Sequence, residues 1–206
     1  MYHIIEDCSP FYVRFTFDGL SNVIDFLVNR QDDVKTAIEF GGYRHTNFDI
    51  DTAKQVIEML PMSKLFTFQL GRVSIFNSPP GGGSGIHKDG SNCRVSFNIP
   101  VHVEDDLCTT SWYSDDPFNG MPINGLPYTR SICKFGDAER TLSTLNNPEP
   151  IKVMTAMPNE MVLFNTDIYH IWDNTKSLNT RKVLTMRIVN DDDLHFGQVR
   201  DILFKK

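Results

Sequence analysis

Pro79-Pro80-Gly81-Gly82-Gly83-Ser84-Gly85-Ile86-His87-Lys88-Asp89-Gly90 runs a glycine- and proline-rich approach into His-x-Asp. Arg94-Val95-Ser96-Phe97-Asn98-Ile99-Pro100-Val101 then follows as an alternating strand. In extended chain, residues i and i+2 point to the same side. His87 and Asp89 therefore share a side and Lys88 points away. In the strand, Val95, Phe97 and Ile99 face a core, while Arg94, Ser96 and Asn98 face the other way.

Outward from this stretch the same texture continues. Apolar and β-branched runs at Leu65–Phe76, Cys108–Tyr113, Ser131–Phe135, Ile151–Thr155, Met161–Phe164 and Lys182–Val189 alternate with Gly, Pro, Asn and Asp clusters. That rhythm predicts an antiparallel sandwich or barrel. Upstream, apolar spacing predicts one helix over Leu20–Asn29 and another over Asp51–Leu60, with Asp49 or Asp51 as N-cap. Asp191-Asp192-Asp193 is expected to open a C-terminal helix. The fold class is α+β, mainly β. It is a single domain, with a helical and strand support region (1–64), a β core (65–190) and a C-terminal helix (191–206).

The 206 residues carry a net charge of -6, which argues against nucleic acid as a partner. No stretch approaches the ~18 apolar residues of a membrane helix. Met1–Asp7 lacks the basic start and apolar run of a secretory signal. Cys8, Cys93, Cys108 and Cys133 form no CxxC and no dense framework, so free thiols in a reducing cytoplasm are expected.

His-x-Asp alone is a weak metal signal. A second histidine strengthens it. Met161–Phe164 reads as a buried strand, followed by the polar turn Asn165-Thr166-Asp167-Ile168-Tyr169-His170, so that His170 in the turn can face a cleft. Two imidazoles and a carboxylate make a facial triad suited to iron(II) or manganese(II), with adjacent positions left open. His3, His45, His102 and His195 have no partner at ligand spacing. Arg181 begins the strand Arg181–Val189, where Arg181, Val183, Thr185 and Arg187 share one face. An arginine at its mouth can hold a carboxylate with two hydrogen bonds. Trp112, Tyr113 and Trp172 are candidate cleft walls, and Ser114–Tyr128 is a candidate lid.

His87-x-Asp89, His170 and Arg181, taken in order, resemble the iron(II)- and 2-oxoglutarate-dependent dioxygenase superfamily over Val73–Val189. The texture around Ile86–Val95 and Tyr169–Asn174 looks like the aspartyl/asparaginyl β-hydroxylase and proline-hydroxylase-like branches. The resemblance implies a double-stranded β-helix (jelly-roll, cupin-like) core and iron on His87, Asp89 and His170. It further implies 2-oxoglutarate on Arg181, with Ser96, Asn98 and Arg94 as further cosubstrate contacts, and O2 as oxidant. The expected activity is hydroxylation of a small-molecule or peptide substrate. Two positions depart from the family. Val183 stands where a Ser or Thr is common, and Ser96 and Asn98 stand where basic side chains are common. Two other readings are a cupin-type metal enzyme that does not use 2-oxoglutarate and a non-catalytic β-sandwich binding module.

Overall fold

The computed structural model describes residues 1–30, 36–40, 43–64, 68–84, 86–89, 94–114, 122–123, 126–127, 149–155, 157–190 and 194–205. The chain opens with strands β1 (Tyr2–Cys8) and β2 (Tyr12–Phe17), then helix α1 (Leu20–Val28), β3 (Thr36–Phe40) and β4 (Tyr43–Asn47). Helix α2 (Ile50–Met59) and a 3-10 turn at Pro61–Lys64 lead into β5 (Phe68–Ser78), β6 (Val95–His102) and β7 (Thr109–Trp112). After the short β8 (Pro122–Ile123) and β9 (Leu126–Pro127) come β10 (Lys152–Thr155), β11 (Met161–Asn165), β12 (His170–Asp173), β13 (Arg181–Asn190) and helix α3 (Phe196–Phe204).

Eight strands form one antiparallel sheet in the order β1-β2-β11-β6-β13-β5-β4-β3. A second sheet runs β10-β7-β12. The segment 81–89 extends it beyond β12 through bridges at Gly83↔Asp173 and His87↔His170. The second sheet faces the first, as in a jelly roll.

Alternation divides the large sheet cleanly. Its outer face presents Val13, Phe15, Val73, Ile75, Val95, Phe97, Ile99, Leu163, Leu184 and Met186. These pack against Leu20, Val23 and Leu27 of α1, Ala53 and Val56 of α2, and Phe196, Val199 and Leu203 of α3. Burying each of these large side chains is worth about 1.5–3 kcal/mol. The inner face presents Tyr12, Val162 and Phe164, which meet Trp112 and Met154 of the second sheet.

Both N-terminal helices fall within a residue of their sequence reading. Gly19 precedes α1 at φ 96°, a conformation that suits glycine. Asp49 caps α2, its Oδ1 accepting from the N–H groups of Asp51 and Thr52 at 2.9 Å each. Asp49→Ala is expected to cost about 1 kcal/mol of stability, read as a lower denaturant midpoint. At the C-terminus, Asp191–Asp193 lies outside the described residues. The helix itself begins at Phe196, behind a capping box of His195 and Gln198.

The N-terminal region carries more strand than its sequence suggested. β2 pairs with β11 and so lies inside the large sheet. Arg14 of β2 reaches Glu160, just before β11, through Nε at 3.0 and 2.9 Å and Nη2 at 2.7 Å. Glu160 is buried and also accepts from the Met157 N–H at 3.2 Å. Arg14→Met would strand this buried carboxylate. The expected loss is about 3–5 kcal/mol by denaturant unfolding, much of it recovered by adding Glu160→Gln.

Candidate metal centre and anion pocket

β11 is buried at every position, and its end is tightly held. Asn165 donates from Nδ2 to the Pro10 carbonyl at 2.8 Å, and its Oδ1 accepts from Asp167 N–H at 3.0 Å. This turn delivers His170 to the first position of β12. The sequence placed His170 in the polar turn itself. Instead it is paired across the second sheet with Trp112. His170 Nδ1 lies 2.8 Å from the Ile168 carbonyl, which can only accept, so Nδ1 carries the proton. That leaves Nε2 as the nitrogen with a lone pair, the state a metal ligand needs. The edge of the His170 ring meets Phe164 at 4.9 Å between centroids.

The Gly-rich segment is fastened to β12 along its length. Gly81 N–H donates to Asn174 O at 3.1 Å, and Asn174 N–H to Gly82 O at 2.8 Å. Ser84 N–H donates to Trp172 O at 3.0 Å, and Trp172 N–H to Ser84 Oγ at 3.1 Å. His87 and His170 exchange backbone bonds of 3.0 and 2.8 Å, and Asp89 N–H reaches Thr166 O at 3.2 Å. Gly81, at φ 75°, makes the turn into this ladder.

This pairing brings His87, Asp89 and His170 together, with one ligand atom from each lying within 4.8 Å of the others. Adjacent ligands on an octahedral ion at about 2.1 Å sit roughly 3 Å apart. The three donor atoms lie close enough together to share one ion. The donor set is two imidazoles and one hard carboxylate with no thiolate, which suits iron(II) or manganese(II). Lys88 points elsewhere, its Nζ 4.6 Å from the centre of the Tyr169 ring.

On the large sheet, Arg181, Val183 and Thr185 of β13 share the inner face with Ser96 and Asn98 of β6. Cross-strand pairs Thr185↔Asn98, Asn98↔Val162 and Ser96↔Phe164 fix this register. Arg181 is only 7% exposed, and among the described residues its Nε has no hydrogen-bond partner. Burial pulls its guanidinium below the usual arginine range. A buried cation of this kind is costly unless an anion completes it.

Two residues not singled out in the sequence shape this end of the barrel. Asn174 is fully buried and donates from Nδ2 to the carbonyls of Ser78, Pro79 and Asn179 at 3.2, 3.0 and 2.9 Å. It ties the start of the Gly-rich segment to the turn before Arg181. Cys108 is buried beside Arg181. Asn174 closes the Tyr169–Asn174 stretch, but its bonds to Ser78 and Pro79, like the place of Cys108 beside Arg181, arise only through long-range pairing.

The structure does not bring Arg94 to the row of Ser96 and Asn98. Arg94 precedes β6, and its Nη1 sits 2.8 and 3.1 Å from the ring nitrogens of His195. There it lines a separate cleft of about 720 Å³ with Lys88, Asp167, His195 and Arg200. Strand alternation does not extend to a residue in the bend before the strand. Trp112 is core, stacked on Tyr12 at 5.1 Å and near Phe164 at 4.9 Å. Tyr113 is buried, and that burial with the nearby Asp173 carboxylate pushes its pKa up to about 12. Trp172 is half-buried on the His170 side of β12. His3 lies in β1, His45 in β4 and His102 at the end of β6, where it meets Glu104 at 2.7 Å. Neither His3 nor His102 joins the triad, and the side chain of His45 lies outside the described residues. Cys8 and Cys108 are free thiols, whereas Cys93 and Cys133 lie outside the described residues. So do the expected strand Ser131–Phe135, the side chain of Arg187 and most of the candidate lid Ser114–Tyr128.

No family model and no curated protein sequence matches the chain. Solved structures do match. A 2OG-Fe(II) oxygenase family oxidoreductase from Burkholderia pseudomallei superposes with a TM-score of 0.57 at 9% identity, over 88% of this chain and 85% of that one. HygX from Streptomyces hygroscopicus, with nickel and 2-oxoglutarate bound, gives 0.55 at 8% identity, over 87% and 83%. A prolyl hydroxylase from Trichoplax adhaerens, in complex with a peptide fragment of hypoxia inducible factor, gives 0.52 at 10% identity, over 90% and 86%. With its two facing antiparallel sheets and few helices, this chain has the jelly-roll fold of the 2-oxoglutarate- and iron(II)-dependent oxygenases.

Proposed function

We propose that this protein is an iron(II)- and 2-oxoglutarate-dependent dioxygenase that hydroxylates a C–H bond of an amino acid, a peptide side chain or another small polar substrate, releasing succinate and CO2. The observation that carries this reading is the company the triad keeps. His87, Asp89 and His170 converge in the same barrel whose inner face holds Arg181, a buried cation whose Nε has no partner among the described residues. A metal centre alone fits many jelly rolls; the buried arginine asks for an anion as well.

His87, Asp89 and His170 would hold the metal, with the Ile168 carbonyl fixing the tautomer of His170. When bound, iron(II) supplies the redox chemistry that couples 2-oxoglutarate decarboxylation and O2 reduction to hydroxylation of the substrate. Arg181 would grip the distal carboxylate of 2-oxoglutarate, trading a desolvated cation for a charge-assisted pair. Ser96 and Asn98 offer hydrogen bonds along the same wall. Ser96 Oγ donates to Asn98 Oδ1 at 3.5 Å, a long contact that a ligand can replace. Phe164, Trp112 and Met154 wall off water behind His170.

The residues around His87 and His170 favour the aspartyl/asparaginyl β-hydroxylase and proline-hydroxylase-like branches within the superfamily. Among the similar structures, HygX is also solved with hygromycin B bound, and the prolyl hydroxylase is solved with a peptide. Both are consistent with a small-molecule or peptide substrate. Among the described residues no helix is long and apolar enough to cross a membrane, and Cys8 and Cys108 are free thiols. The free thiols fit work in a reducing cytoplasm. The test is succinate production from 2-oxoglutarate with iron(II), ascorbate and a panel of amino acids and peptides. Turnover, coupled or uncoupled, is expected. Manganese binding without any 2-oxoglutarate binding or turnover would favour a cupin-type enzyme that does not use this cosubstrate.

A further inference from the structure

The loop before β7 and the turn before β13 are clamped together. Ser177 Oγ and Asn179 Nδ2 donate to Asp105 Oδ2 at 2.6 and 3.0 Å, and Asp105 Oδ1 accepts from the Leu107 N–H at 3.0 Å. Asn174 holds the Asn179 carbonyl at 2.9 Å from the barrel side. The clamp seats Cys108, which directly precedes β7, against Arg181, the first residue of β13. Cys108 is 1% exposed.

The electrostatics of the pair are unusual. The Asp105 carboxylate is committed to Ser177, Asn179 and Leu107. Among the described residues, the Cys108 thiol lies beside the Arg181 guanidinium. Burial pushes that thiol up, so it stays neutral at physiological pH. A guanidinium in protein is nearly always met by a carboxylate when buried this far. Here the position next to it holds a weak, neutral, polarisable partner.

We propose that Cys108 is a positioning residue of the Arg181 pocket: a neutral thiol that steadies the guanidinium while leaving its full positive charge to an incoming ligand carboxylate. This rests on reading Arg181 as the 2-oxoglutarate anchor. A carboxylate at position 108 would pair with Arg181 internally and compete with the cosubstrate. A neutral polar side chain of the same size would not. Charge, rather than bulk, is therefore what position 108 must avoid.

The test is calorimetry of 2-oxoglutarate into manganese-loaded wild type, Cys108→Asn and Cys108→Asp. Manganese affinity should match in all three, because position 108 is not a ligand. Cys108→Asn should bind 2-oxoglutarate within about threefold of wild type, and Cys108→Asp more than about tenfold more weakly. Equal affinities for the two variants would overturn the proposal. An independent readout needs no charged variant. The infrared S–H stretch of Cys108, assigned by its loss in Cys108→Ser, should shift when 2-oxoglutarate is added to the manganese-loaded wild type. An unmoved band in protein that binds 2-oxoglutarate would also overturn it. Wild type that takes manganese but no 2-oxoglutarate would instead contradict the cosubstrate reading, and the positioning role would fall with it.

Discussion

Arg181→Met is expected to lose 2-oxoglutarate binding while the protein remains folded and becomes no less stable. Arg181 is buried, and its Nε has no hydrogen-bond partner among the described residues. Removing one partner of a desolvated charge pair costs about 2–5 kcal/mol of binding, roughly 30-fold to several thousand-fold in affinity. The free protein feels the opposite effect. Methionine has similar reach and needs no solvation, so replacing a poorly satisfied buried cation with it is expected to be neutral or stabilising by about 1–4 kcal/mol. Calorimetry on the manganese-loaded variant and a thermal melt read the two effects separately. A large drop in melting temperature would mean that Arg181 is structural. Unchanged 2-oxoglutarate affinity would remove it from the pocket.

His87→Ala should abolish stoichiometric metal binding. Outer-shell changes around a metal typically cost about 10–100-fold in affinity, and removing a ligand outright should cost at least the upper figure. His87 is half-buried and lies on a segment held by backbone bonds to β12, so the variant should keep its fold. Lys88→Ala is the control. Its side chain lies over Tyr169 rather than in the triad, so metal affinity should change little. Metal analysis and manganese titration of the three proteins provide the check. Equal loss in both variants would indicate that the segment, not the ligand, had been damaged.

Much of this site could be read from the sequence because its logic is local. In His87-x-Asp89, period-two alternation alone puts both donors on one side. The inner and outer faces of β6 and β13 follow from the same period, and Ser96, Asn98, Val183 and Thr185 lie where it places them. Arg94 departs from it because it sits in a bend, where alternation no longer holds and the α3 cap offers it an imidazole. β1 has no continuous buried face, since it lies at the sheet edge with Ile4 and Ile5 exposed, and so gives a weak strand signal. β2 does alternate, but its place inside the large sheet depends on pairing with β11 nearly 150 residues later. Cys108 and Asn174 are invisible for the same reason. Each acquires its role only when the Asp105 clamp or the Gly-rich ladder brings distant segments together.

Titration of 2-oxoglutarate into the metal-free and the manganese-loaded protein, followed by calorimetry, reads whether the triad and Arg181 form one site. The triad and Arg181 together predict one-to-one binding that requires the metal and is lost in Arg181→Met. Protein that takes up one manganese on His87, Asp89 and His170 yet gives no heat with 2-oxoglutarate would mean that Arg181 does not serve this cosubstrate.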